Sequence, residues 1–313
     1  MSTAIVYTEF GGPEVLTATD IAVPAPAAGE VAVRIEAVGV NPIDFKLRAG
    51  LRVSAPITEP RRVGSDAAGI VTAVGDGVEG FREGQPVVVF GVNGAYASDI
   101  VVPAENLVPR PPQVSASEGA ALGIPVGTAY QTLRSLAVGR GDTVLIHGGS
   151  GAVGQAAIQY AVLFGATVLA TTSDRRADRV RALGATPLPY GERVVERVRE
   201  LAPQGVTVAI DLAGTDEALA QSIELVADKS RIATLVRGKD AAGLGIRAFS
   251  GGNPVPLTDQ EQAWRAEAIP VTVALLAAGR FSVELAEQLP LTDAPAAHRL
   301  VEAGADGKVV LVP

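Results

Sequence analysis

The stretch Thr143-Val-Leu-Ile-His-Gly-Gly-Ser-Gly-Ala-Val-Gly154 restricts the possible folds of this chain most. An apolar run ends in glycines spaced G-x-G-x-x-G, at Gly149, Gly151 and Gly154, and an alanine-rich helical segment follows at once. Strand, tight glycine turn and helix, in that order, open a doubly wound parallel sheet. The glycine spacing alone is weakly specific, and its position between strand and helix gives it weight. Such a turn brings backbone N–H groups close to an anion, and the helix N-terminus adds partial positive charge. That combination suits the pyrophosphate of a dinucleotide.

The rest of the chain agrees with this opening. From Thr143 onward, strands expected at 143–148, 167–172, 186–190, 206–212, 231–236 and 245–249 alternate with helices at 151–165, 174–183, 191–201 and 215–227. Six strands with crossovers make a full nucleotide-binding domain of α/β class. In the first helix Val153, Ala157, Tyr160, Ala161 and Phe164 recur at helical spacing, so they read as the face packed on the sheet. Residues 1 to about 120 read differently. Short Val/Ile-rich runs at 4–7, 31–38, 67–74 and 85–90 end at Gly and Pro, the pattern of a small β-barrel or sandwich. After a break at Gly251-Gly-Asn-Pro-Val-Pro256 a helix with Trp264 runs on to Leu276, and Gly307-Lys-Val-Val-Leu-Val-Pro313 closes as a strand. The tail is expected to return to the first domain. That gives a discontinuous domain of 1–122 and 257–313, and a nucleotide domain of 123–256.

Composition excludes several classes. The net charge of −8 argues against nucleic-acid binding. The absence of cysteine removes disulfides and thiolate metal sites, and the two histidines are too few for a histidine-built zinc centre. No apolar run reaches membrane-spanning length. The N-terminus has no basic region before an apolar stretch, so a secretory signal is not expected and cytoplasmic residence follows by default.

The second strand bears on the coenzyme. In NAD-preferring folds an acid at its end takes the ribose hydroxyl. Here it ends Thr171-Thr172-Ser173, followed by Asp174-Arg175-Arg176. Small hydroxyls leave room for a 2′-phosphate, and an arginine can grip it bidentately. The favoured coenzyme is therefore NADPH, with Asp174 either reaching a ribose or capping the next helix.

Several ordered motifs together resemble the zinc-free branch of the medium-chain dehydrogenase/reductases, the quinone oxidoreductase (zeta-crystallin-like) group. They are Val38-Gly-Val-Asn-Pro-Ile-Asp44, Gly64-Ser-Asp-Ala-Ala-Gly-Ile-Val71, Gly77-Val-Glu-Gly-Phe-Arg-Glu-Gly-Gln-Pro86, Gly94-Ala-Tyr-Ala-Ser98, Gly127-Thr-Ala-Tyr130, the glycine loop and Gly307-Lys-Val-Val310. The resemblance spans nearly the whole chain. It implies a GroES-like barrel domain plus a Rossmann domain, hydride transfer to quinones or α,β-unsaturated carbonyls, and a homodimer built through the last Rossmann strand. Zinc alcohol dehydrogenases carry a ligand cysteine where this chain has Asn41 and a ligand histidine where it has Ser65, so no metal is expected. Enoyl-thioester reduction and non-catalytic NADPH binding are the alternative functions.

The resemblance also implies roles for single residues. Asn41 is either an amide donor to substrate or coenzyme, or a turn residue before Pro42. Asp44 reads as structural, bonding a nearby N–H or Arg48. Lys46 stands where plant enone reductases also have lysine and quinone oxidoreductases typically have tyrosine. It is either a cation for the acceptor oxygen or a solvated side chain. Thr128 belongs near the nicotinamide. Gly149, Ser150, Gly151, Ala152, Val153 and Gly154 cradle the pyrophosphate. Thr172, Ser173, Arg176 and Tyr190 meet the 2′-phosphate, with the choice between Arg175 and Arg176 left open. Ala213, Gly214, Phe249 and Ser250 lie at strand ends where open sheets bind ligands, and Lys308 matches a family lysine near the coenzyme. His147 and His298 read as core imidazoles, Arg61 and Arg62 as a solvated loop, and Trp264 as core or interface.

Overall fold

The computed structural model describes residues 2–52, 54–249 and 255–313. In chain order the elements are β1 (Ser2–Tyr7), β2 (Thr17–Ile21), β3 (Glu30–Gly39), α1 (Pro42–Arg48), β4 (Arg61–Arg62), β5 (Asp66–Val74), β6 (Pro86–Val89), β7 (Asp99–Pro103), β8 (Leu107–Pro109), α2 (Ala116–Ala120) and α3 (Gly123–Ser135). There follow β9 (Thr143–His147), α4 (Ala152–Leu163), β10 (Thr167–Thr172), α5 (Ala177–Ala182), β11 (Thr186–Pro189), α6 (Val194–Leu201), β12 (Val208–Asp211), α7 (Asp216–Leu225), β13 (Ile232–Thr234), α8 (Ala241–Leu244) and β14 (Arg247–Ala248). The last are α9 (Asp259–Ala277), β15 (Leu285–Pro290), α10 (Ala294–Glu302) and β16 (Lys308–Val312).

The chain divides into two units, Met1–Ile124 with Ile269–Pro313, and Pro125–Ala268. The second boundary lies twelve residues beyond the one expected at 256/257. The Gly/Pro-rich break does not set it; the chain passes from one unit to the other inside the single long helix α9.

In the first unit a seven-stranded, mostly antiparallel sheet runs β15-β16-β3-β5-β6-β8, with β7 also paired to β3, and a three-stranded sheet runs β2-β1-β4. Val31, Val33 and Ile35 of β3, Val87 and Val89 of β6, and Val309 and Leu311 of β16 fill one core. The closing strand β16 pairs antiparallel with β3, which returns the C-terminus to the first unit.

The second unit is a six-stranded sheet in the order β11-β10-β9-β12-β13-β14. Every pairing in it is parallel. By order of appearance this is 3-2-1-4-5-6, the doubly wound arrangement. All five residues of β9 and all four of β12 are buried, as strands covered on both faces must be.

Candidate functional site

Around the turn from β9 into α4 the glycines differ in their steric need. Gly148 sits at φ +83°, where only glycine is unstrained. A Cβ on Gly149 would lie 2.6 Å from Ala170 Cβ, so the loop rests directly on β10. A Cβ on Gly154 would meet Gly148 O at 2.4 Å and Gly149 C at 2.8 Å, which closes the helix under the loop. At Gly151 the nearest atom would be 3.8 Å away, so this side of the loop is open. Gly151 is also the N-cap of α4 and supplies no side-chain cap. The first N–H groups of the helix therefore lack a side-chain acceptor, and a helix start of that kind suits an anion. Gln155 braces the loop: its Nε2 donates to Ser150 O at 2.8 Å, and its Oε1 accepts from Arg179 Nε at 2.8 Å.

At the end of β10, Thr171 Oγ1 accepts from Gly148 N–H at 3.1 Å. Thr172 Oγ1 is buried with no hydrogen-bond partner. Ser173 and Arg176 are half-buried, and Asp174 is exposed. An orphaned buried hydroxyl with no acid beside it fits a ligand acceptor such as a phosphate oxygen. Tyr190 follows β11 and is largely exposed. Ala213 and Gly214 follow β12, and Phe249 follows β14, all at carboxyl ends. The Phe249 ring is buried, with the Arg247 guanidinium 4.7 Å from its centroid, and its carbonyl accepts from Arg265 Nη2 at 2.9 Å. Thr128 is buried in α3. Ser250 lies outside the described residues.

The first unit holds a second cluster, at the start of α1. Pro42 occupies the first turn, where its missing N–H costs nothing, and the Asp44 carboxylate accepts from Asn41 N–H at 2.8 Å. Asn41 is 1 % exposed, and both ends of its amide are taken. Nδ2 donates to Asp66 Oδ2 at 2.8 Å and to Gly39 O at 3.4 Å, while Oδ1 accepts from Lys308 Nζ. Both amide hydrogens of Asn41 are bonded within the protein, and the residue is also the N-cap of α1, which accords with the turn reading. The lysine is 4 % exposed and turned onto Asn41.

The cluster continues inward. Asp66 also accepts from Ile124 N–H at 2.9 Å. A Cβ on Gly123 would lie 1.9 Å from Asp66 Oδ1, so α3 can begin only with glycine. Tyr96 donates to Asp44 Oδ2 at 3.1 Å and meets His298 Nε2 at 3.2 Å. Burial pushes the Asp44 carboxyl up to about 7, with the Asp66 charge adding and the Asn41 N–H opposing. Burial lowers the Lys308 ammonium, and the two aspartates oppose that shift. Arg48 bonds Glu302 rather than Asp44. Lys46 is half-buried near the Phe45 ring, and burial, then Arg52, lower its pKa.

Asp66 and Tyr96 were not singled out from sequence, although Asp66 lies inside the Gly64–Val71 motif. A buried acid cannot be told from a solvated one without its partners, and those come from positions 41, 124 and 308.

Comparison with known proteins now decides the family. Residues 27–112 match the model for the alcohol dehydrogenase GroES-like domain, and residues 152–247 match that for zinc-binding dehydrogenase. Quinone oxidoreductase 1 of Escherichia coli K12 is 31% identical over 332 residues, covering 100% of both chains. The chain belongs to the quinone oxidoreductase family.

Human quinone oxidoreductase is 29% identical over 330 residues, covering 99% of this chain and 97% of its own. The crystal structure of Escherichia coli quinone oxidoreductase with NADPH superposes with a TM-score of 0.84 at 27% identity, covering 99% of this chain and 100% of that one. The second family model carries zinc in its name. Asn41 and Ser65 replace the expected cysteine and histidine, and the chain has no cysteine. Among the described residues no group of three or more His, Asp or Glu is arranged to hold a metal ion.

Proposed function

We propose that this quinone oxidoreductase family member is an NADPH-dependent reductase that passes hydride to quinones or α,β-unsaturated carbonyls without a metal. The observation that carries the coenzyme reading is the open, uncapped start of α4 beside a β10 that ends in hydroxyls rather than a carboxylate. NADPH, when bound, supplies the hydride. The backbone of Gly149, Ser150, Gly151, Ala152, Val153 and Gly154 holds the pyrophosphate. Thr172 and Ser173 donate to the 2′-phosphate, Arg176 neutralises it, and Tyr190 flanks it. Thr128, Ala213, Gly214, Phe249 and Ser250 border the nicotinamide half. Asn41 and Lys308 enter as the buried support of α1, not as direct contacts.

Hydride arriving at an electron-poor carbon leaves negative charge on the acceptor oxygen. Lys46 is the cation assigned to that oxygen, where a fixed donor lowers the barrier most. No alcohol-polarising metal is required, because the acceptor is already electrophilic. The chain works as a homodimer paired through β14, the last strand in the order of its sheet. It resides in the cytoplasm. Among the described residues no helix is long and apolar enough to cross a membrane.

The deciding assay follows NADPH oxidation with 1,4-benzoquinone, a simple enone and an enoyl thioester, with NADH and a chelator as controls. Turnover with the first two, unaffected by chelation, is the expected result. Turnover confined to the thioester replaces the substrate assignment, and tight NADPH binding without turnover replaces the enzyme assignment. Lys46→Ala is expected to lower kcat/KM for the enone by about 10²-fold, the size of effect seen on losing one oxyanion donor; an unchanged value removes Lys46 from the chemistry.

A further inference from the structure

Four polar side chains close one face of the parallel sheet at its carboxyl edge. Thr171 of β10, His147 of β9, Asp211 of β12 and Thr234 of β13 are register partners across adjacent strands. Each stands two residues beyond Leu169, Leu145, Ala209 or Ile232, which share one core cluster, so all four point to that same face. All four are buried, Asp211 and Thr234 completely.

The row holds the loops that leave the sheet. Asp211 Oδ1 accepts from the N–H groups of Ala213 and Gly214, at 3.0 and 2.8 Å. Its Oδ2 accepts from the Thr234 hydroxyl at 2.7 Å. Thr234 Oγ1 in turn accepts from the N–H groups of Val236 and Arg237, at 3.3 and 3.0 Å. The two loops also lock each other. Gly214, at φ +71°, has no room for a side chain, since a Cβ would lie 2.5 Å from Val236 Cγ1. Its carbonyl accepts from Arg237 Nη1 at 3.3 Å. The glycine loop leans on the same assembly: a Cβ on Gly148 would lie 3.3 Å from Leu212 C and 3.4 Å from Ala213 N.

A buried acid is an expensive way to hold a turn. Among the described residues no arginine or lysine bonds Asp211, and the adjacent His147 is kept neutral because burial, opposed by the Asp211 charge, pushes its imidazole down to about 4. What the carboxylate supplies is direction. As an acceptor-only group it forces the Thr234 O–H to donate toward it, which leaves the Thr234 lone pairs for Val236 and Arg237. An amide at 211 would reverse that bond and strand the Thr234 hydrogen.

We infer that Asp211 and Thr234 are positioning residues of the coenzyme site, joined in one brace that shapes loops 212–215 and 235–237 to receive the nicotinamide half of NADPH. The inference rests on the coenzyme reading proposed above. It places the control of coenzyme affinity in two side chains that do not themselves touch the coenzyme.

The test compares wild type with Asp211→Asn, Thr234→Val and the conservative Thr234→Ser. Three readouts are needed: the NADPH Kd from fluorescence titration, KM for NADPH against kcat with 1,4-benzoquinone, and amide hydrogen exchange at 213–214 and 236–237 without coenzyme. Asp211→Asn and Thr234→Val should raise Kd and KM about tenfold, with kcat at saturating NADPH within about threefold, because loops displaced by a fraction of an ångström bind less well. Both should speed exchange at those amides, and Thr234→Ser should behave as wild type with a cooperative melt. Unchanged exchange in both variants overturns the brace. Faster exchange with unchanged Kd and KM overturns the positioning role. Wild type that binds neither NADPH nor NADH overturns the coenzyme reading itself, and the positioning role falls with it.

Discussion

Asp44 shows how much one buried group can add to the pH behaviour of the chain. Its carboxyl is raised to about 7, so between the ordinary value of 3.8 and 7 the folded protein holds a proton that the unfolded chain releases. The stability this contributes is complete below about 4 and is lost as pH rises through 7. The histidines act in the opposite sense. Burial lowers His147 to about 4 and His298 to about 3, so their cost grows as pH falls below the unfolded value of 6.5. Asp44→Asn keeps an oxygen for the Asn41 N–H and the Tyr96 hydroxyl while removing the titration. Urea unfolding at pH 5 and pH 8 should therefore show the variant gaining on wild type at the higher pH, by roughly 1–4 kcal/mol. Equal slopes for both proteins would remove Asp44 as a buried proton holder.

At the scale of elements, the glycine loop separates steric need from ligand need. Gly151 has backbone angles open to any residue and free space around its α-carbon, whereas Gly154 presses on the backbone of Gly148 and Gly149. Gly151→Ala should melt within about 2 °C of wild type yet weaken NADPH binding about tenfold. Gly154→Ala should cost about 2 kcal/mol or more in denaturant, since backbone must move. Similar losses of stability in both variants would contradict the division of roles. The end of β10 carries a second test. Ser173→Asp places an acid where the 2′-phosphate is assigned, and should raise KM for NADPH about tenfold or more while favouring NADH. Not every element was legible. β2, Thr-Ala-Thr-Asp-Ile, has four exposed residues and so no apolar alternation to betray it. α3, Gly-Ile-Pro-Val-Gly-Thr-Ala-Tyr-Gln-Thr-Leu-Arg-Ser, has two glycines, a proline and β-branched residues, all weak helix formers. It is helical because Val126, Ala129, Tyr130 and Leu133 are buried along it. Burial overrides propensity there, and burial is not a local property.

For the whole molecule, pairing through β14 predicts a particle of twice the 31.9 kDa chain mass in light scattering, and Ala248→Pro, which removes a backbone donor from that strand, should yield the single-chain mass. A wild-type monomer would leave β14 as a plain sheet edge. By itself the sequence determined what depends on neighbours a few residues apart. The glycine spacing and the alternation of apolar runs with helical faces specify the α/β class, the doubly wound unit and the glycine turn between β9 and α4. The tertiary structure alone decided which polar groups meet. Asn41 and Lys308 are 267 residues apart, and Thr171, His147, Asp211 and Thr234 come from four different strands. Local periodicity encodes which face of an element is buried, whereas hydrogen-bond partners across a sheet or core are fixed by strand order and register, and no short window of sequence contains those.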